Sequence, residues 1–313
     1  MSDPLASETS SIEDKTAYVD VQAMSVYDFM DDTFSGKNGY RDGKYLIPHP
    51  REVFYNTRRS SSYYKNFFKP VVRAMIDPVF SGTIKRTTTD NMLEGFFENC
   101  NIAGDSFQGF VGDAMYTARV GGVAFVVVDN YQGYQQPDTV ESAIVDRRYP
   151  FVSLIKPQLV KDFVSDKFGQ LEEIVFYDRK EKRDAGTVQL YRRWTRTDWT
   201  IFEVKGEAEV VVESGVHGLG VLPVVVVTNF SGTKVLKELP DPPLYDLARL
   251  NFALFNKESE IRTLEQNQSF SVLIMPDNGA TNPVVGVHNY LTAPHDSTWQ
   301  PNYISPDSAH LTN

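Results

Sequence analysis

The stretch PLYDLARLNFALFNKESEIRTLEQNQSFSVLIMP, Pro243 to Pro276, changes character halfway along. Leu247, Leu250, Leu254, Ile261 and Leu264 follow one another at spacings of three, four, seven and three, which is an a/d seam with Lys257 at one d position. A second apolar stripe, Ala248, Phe252 and Phe255, occupies only the first half; Ser259, Arg262 and Gln266 take its places in the second. The pattern predicts a helix over 243–270, about 42 Å long at ~1.5 Å per residue, started by the prolines of DPP at 241–243. Such a helix is buried on two sides at first and on one side later. SFSVLIMP then reads as a strand. A segment that leaves a globular body and projects toward copies of itself has this character.

Upstream, residues 1–44 form an acidic arm, with nine acidic residues against four basic ones and one short helix expected around Val21–Met30. Tyr64, Phe68, Val71 and Met75 share a helical face, and Pro70 is expected to interrupt or kink that helix. A helical block from Asp90 to Thr117 should break near Gly104 and Asp105. From Gly121 the period becomes that of strands. VAFVVVD reads as a strand covered on both faces, DRKEKRD as a solvated hairpin tip, and TVQLYRRW pairs with TIFEVKG across TRTD. AEVVVES and a buried LPVVVV complete an antiparallel region. The fold class is α+β.

Several function classes are disfavoured by composition. The 313 residues are 41% hydrophobic and 23% charged, and the longest apolar run, Val221 to Val227, is far below the ~20 residues of a membrane span. The N-terminus lacks the basic and apolar regions of a secretory signal, and one cysteine, Cys100, excludes an internal disulfide framework. A net charge of −10 argues against a tight electrostatic clamp on nucleic acid, while a brief contact remains allowed. There is no G-x-S-x-G, Walker A loop or H-E-x-x-H, and His49, His217, His288, His295 and His310 are scattered. No catalytic residue, cofactor or metal is expected. The most chemically suggestive segment is 51–73, in which six basic residues interleave with six aromatic ones. That is the recipe for single-strand binding, but the aromatic residues fall partly on a packing stripe, so structural packing is the favoured reading.

Five segments in a fixed order resemble the portal proteins of tailed bacteriophages. YKNFFKPVVRAMIDPVFSG is similar to their helix leading into a turn, and MLEGFFENCNIAGDSFQGFVGDAMYTARVGGVAFVVVDN to their paired wing helices and following strand. YPFVSLIKPQLVKDFVSDKFGQLEEIVFYD resembles a wing segment, and HGLGVLPVVVVTNFSG the segment before the stem. The opening stretch, extended to Gly279, resembles the descending stem helix and first clip strand. The resemblance implies an acidic arm at 1–44, a wing domain at 45–240, a descending stem helix at 241–270, a clip at 271–303 and the start of a second stem helix at 304–313. The longer pattern of the family continues past this point, so a fragment is expected.

It further implies a non-enzymatic ring of twelve copies at one capsid vertex of the virion, assembled in the host cytoplasm. Double-stranded DNA would pass through its channel, and terminase, the head–tail connector and the major capsid protein would be partners; no membrane is implied. Lys257, Glu258, Glu260, Arg262 and Glu265 are then candidates for facing the channel or a neighbouring subunit. Pairing within the helix, Glu258 with Arg262 and Lys257 with Glu260, is the competing use of these charges. A twelve-copy ring would carry about −120, a field that keeps DNA from adhering. Another head–tail adaptor, or an enzyme with a site of scattered Asp, Glu and Tyr, stays open on the sequence.

Overall fold

Helix-forming and strand-forming stretches sort into a mixed α+β chain of six helices and eleven strands among the described residues. The structure is a computed structural model. It describes residues 26–50, 52, 55–82, 84–101, 103–130, 139, 142, 149–168, 170–183, 186–205, 208–228 and 238–268, and the strands 272–276, 290–293 and 302–304; for 266–268 and those last strands only the backbone course is described. The helices are α1 (Val26–Ser35), α2 (Tyr55–Ser61), α3 (Phe68–Phe80), α4 (Asn91–Glu98), α5 (Phe107–Gly121) and α6 (Tyr245–Gln268). The chain divides into two compact units. The larger comprises residues 20–37 and 66–251; the smaller comprises 1–19, 38–65 and 252–313. Segment 38–65 thus groups with the later part of α6, whereas the sequence reading placed 45–65 in the wing.

In the larger unit, β1 (Val123–Asp129) is the centre of a three-stranded antiparallel sheet of order β2-β1-β8, with β2 at Phe151–Ile155 and β8 at Val224–Thr228. Because strand side chains alternate, Val123, Phe125 and Val127 point one way and Val126 the other. The first set joins a core with Ile174, Phe176, Leu190, Trp194, Trp199 and Ile201; Val126 packs toward Cys100, Phe110 and Val152. The strand expected to be covered on both faces is so covered. β8, expected to be buried, is half-exposed, since it lies at the sheet edge.

The second sheet is an antiparallel meander of β3 (Val160–Ser165), β4 (Leu171–Arg183), β5 (Gly186–Trp194), β6 (Asp198–Lys205) and β7 (Ala208–Val216). Trp194 faces Trp199 across the TRTD turn, the pairing read from the sequence. The charged stretch RKEKR lies at the end of the β4–β5 hairpin, with Arg179, Lys180 and Lys182 exposed, as expected of a solvated tip. It is also regular strand: it continues β4 to Arg183, whose Nη1 lies 3.0 Å from Glu203 Oε2 on β6.

Two helix readings need correction. On α3 the buried residues are Phe68, Val72 and Ile76, while Val71 and Met75 are exposed and Tyr64 lies ahead of the helix. Pro70 does not break α3: it stands in the first turn, where no intrahelical N–H bond is needed. Asn66 starts the helix by accepting from Lys69 N at 2.8 Å, and its amide donates to Thr33 O and Phe34 O. The short N-terminal helix is α1, which runs past the expected end at Met30 to Ser35; residues 1–25, which held half of that expectation, lie outside the described residues. The α4–α5 break is where the sequence put it. Asp90 caps α4, Ser106 caps α5, and Asn101 Oδ1 accepts from Gly104 N and Asp105 N in the turn between. α5 ends at Gly121 with Gly122 as its cap; the φ of +84° there favours glycine, and a Cβ would crowd the Pro240 and Asp241 carbonyl oxygens at 3.1 Å.

In the smaller unit, β9 (Val272–Pro276) lies between β10 (Tyr290–Ala293), parallel to it, and β11 (Asn302–Ile304), antiparallel. This small sheet spans the expected clip. The second stem helix expected at 304–313 lies outside the described residues except for Ile304, which belongs to β11.

Candidate functional site

α6 has 24 residues, about 36 Å at ~1.5 Å per residue, and begins two residues later than the prolines suggested. Which side of it is buried differs from the expectation. In the larger unit Ala248 and Asn251 are buried; in the smaller unit Phe252, Phe255, Asn256 and Ser259 are. At about 100° per residue these six positions share one side of the helix, and the leucine seam lies nearly opposite. That seam is exposed: Leu250 59%, Leu254 42%, Ile261 42% and Leu264 51%, with Leu247 half-buried. The helix is therefore buried on one side throughout, and its first half is not covered all round.

The buried side works because its polar members are bonded. Asn251 Oδ1 accepts from Phe67 N and Phe68 N, both at 2.9 Å, closing the start of α3. Asn256 Oδ1 accepts from Ile47 N at 2.8 Å, and its amide donates to Tyr45 O and Phe252 O. Ser259 Oγ accepts from Arg58 Nη1 at 3.2 Å and shares a 2.7 Å hydrogen bond with Ser62 Oγ. Arg58, with a side chain 3% exposed, also donates to Ile47 O and holds Glu52 with two bonds of 2.6 and 2.7 Å. The Arg58 guanidinium keeps the Glu52 carboxyl below its ordinary pKa, against the opposing effect of burial. Phe252 and Phe255 meet an aromatic group in which Tyr40 stacks on Tyr64 at 3.8 Å; burial, with Tyr40 alongside, pushes the Tyr64 phenol well above its ordinary value.

The charged candidates of α6 are used largely within the chain. Glu258 Oε1 accepts from Lys65 Nζ at 2.5 Å. Arg262 stacks over Tyr63 at 3.6 Å and donates to Ser61 O. Glu260 lies 3.7 Å from His49 Nε2 and 3.7 Å from Lys257 Nζ, the latter being the expected i,i+3 pair. The expected Glu258–Arg262 pair is replaced by these outside partners. Glu265 is exposed. Of the described cations of 51–73, Arg58 is buried, Lys65 holds Glu258 and Lys69 lies over the Phe34 ring, while Arg59 and Arg73 are exposed.

Asn251, Asn256, Ser259 and Arg58 escaped the sequence reading. Their signal was present, because the three helix positions recur with the helical period, but an apolar-only pattern discards polar residues. Among the described residues no group of three or more His, Cys, Asp or Glu is placed to hold a metal ion, and no helix is long and apolar enough to cross a membrane. A shallow pocket of about 700 Å³ in the larger unit is lined by Met75, Ile76, Met115, Arg119 and Val227 without a convergent set of polar groups. Compared with protein-family models and with curated proteins, the chain matches none.

Proposed function

We propose that this chain is a portal-type ring protein: a non-enzymatic conduit for double-stranded DNA that assembles from about a dozen copies at a capsid vertex and docks the packaging terminase and the head–tail connector. The observation that carries the reading is α6. Its polar side is anchored to its own chain, while a leucine stripe from Leu250 to Leu264 faces outward. Interrupted only by Lys257, such an exposed apolar row marks a surface that a partner ordinarily covers. A long helix followed at once by a small sheet, β9–β11, also agrees with the ordered resemblance along 45–280.

Negative-stain micrographs and the native mass of the full chain test this. Rings with a central opening wide enough for a duplex are expected, and Leu254→Lys with Ile261→Lys should yield folded monomers. A wild-type chain that stays monomeric at high concentration overturns the proposal; rings without a duplex-sized opening favour a head–tail adaptor instead.

A further inference from the structure

α3 is apolar on two sides. Phe68, Val72 and Ile76 are buried, yet Phe67, Val71, Ala74, Met75, Pro78 and Val79 form an exposed, uncharged face beside them. Its charges, Lys69, Arg73 and Asp77, lie together on the remaining arc. A helix with two apolar sides is ordinarily covered on both. Resting on the ring reading, we propose that this exposed face of α3 receives the α6 leucine stripe of a second copy of the chain.

Three observations select that occupant. A cyclic ring is built from heterologous contacts, so each copy must present two different, complementary surfaces. The α6 stripe cannot use the back of a neighbouring α6, because that side is already buried against its own chain through Phe252, Phe255, Asn256 and Ser259. The two rows also match in reach: Phe67 to Val79 spans about 18 Å and Leu250 to Leu264 about 21 Å at helical rise. Charge agrees in sign by a small margin: Lys69 and Arg73 against Asp77 leave α3 one net positive charge, and Asp246, Glu258, Glu260 and Glu265 against Arg249, Lys257 and Arg262 leave α6 one net negative charge. The exposed valines of β7 are a poorer receiver. They sit on an edge strand with a register shift opposite Ile201/Phe202, and Glu209 and Glu213 flank the run Val210–Val212.

The test places a benzophenone photocrosslinker at Ile261 of the full chain, assembles a mixture of isotopically light and heavy copies, and maps the mixed adducts by mass spectrometry. Adducts within residues 67–80 are expected. Adducts in another α6 or elsewhere, or none from intact rings, overturn the α3 assignment alone; failure of the wild-type chain to form any ring overturns the ring reading and this one with it. Independently, Val71→Glu with Met75→Glu should leave the thermal midpoint of the subunit unchanged and weaken association at least tenfold. Unchanged association overturns the assignment.

Discussion

Arg58 shows how a cation in a basic and aromatic segment becomes internal. Its guanidinium is enclosed by Glu52, Ile47 O and Ser259 Oγ, with the Tyr55 ring 5.6 Å away, so almost none of its side chain meets water. Removing one member of such a pair leaves the other buried and uncompensated. Arg58→Met is expected to lose about 3–5 kcal/mol of stability, and the double change Arg58→Met with Glu52→Leu to recover most of it, read from denaturant midpoints. The same pair sets an acid response. Glu52 holds its proton less tightly in the folded state than in the unfolded chain, so its contribution is complete above the ordinary value of 4.5 and is lost as pH falls through the lower folded value. Thermal midpoints of the wild type should fall more steeply below that pH than those of Glu52→Gln.

At the level of elements, α3 and α6 make the same point from opposite sides. In each, the sequence supplied the helix but not the face that packs. α3 has apolar residues in two adjacent rows, and periodicity alone cannot choose between them. The choice was made by Asn66 and Asn251, which fix where the helix starts and how it is turned. Ile76→Ala should therefore cost about 2–5 kcal/mol, while Met75→Ala, on the exposed row, stays within about 0.5 kcal/mol by chemical denaturation. On α6 the leucines dominate the pattern, yet the aromatic residues and bonded Asn and Ser take the interior. By contrast the break between α4 and α5 and the β5–β6 hairpin were legible, because each is decided by residues within a few positions of one another.

For the whole molecule, the net charge of −10 bears directly on the proposed role. A conduit must let DNA slide, and the basic residues of 51–73 that are described are mostly turned to the chain's own rings and carboxylates. Gel-shift measurements of the assembled protein with duplex DNA at physiological salt should show no stable complex; tight binding with a steep salt dependence would contradict the conduit reading.

By itself, the sequence determined the mixed class of the fold, the succession of helices and then strands up to the long helix, that helix to within two residues of Tyr245–Gln268, and the strand that follows it. These depend on local periodicity, turn residues and caps. Only the tertiary structure decided which side of each helix is inside. That depends on hydrogen bonds between residues some two hundred positions apart, such as Arg58 to Ser259 and Ile47 to Asn256. A polar side chain with a bonded partner is as admissible in the interior as a leucine, and its partner cannot be seen in the neighbouring sequence.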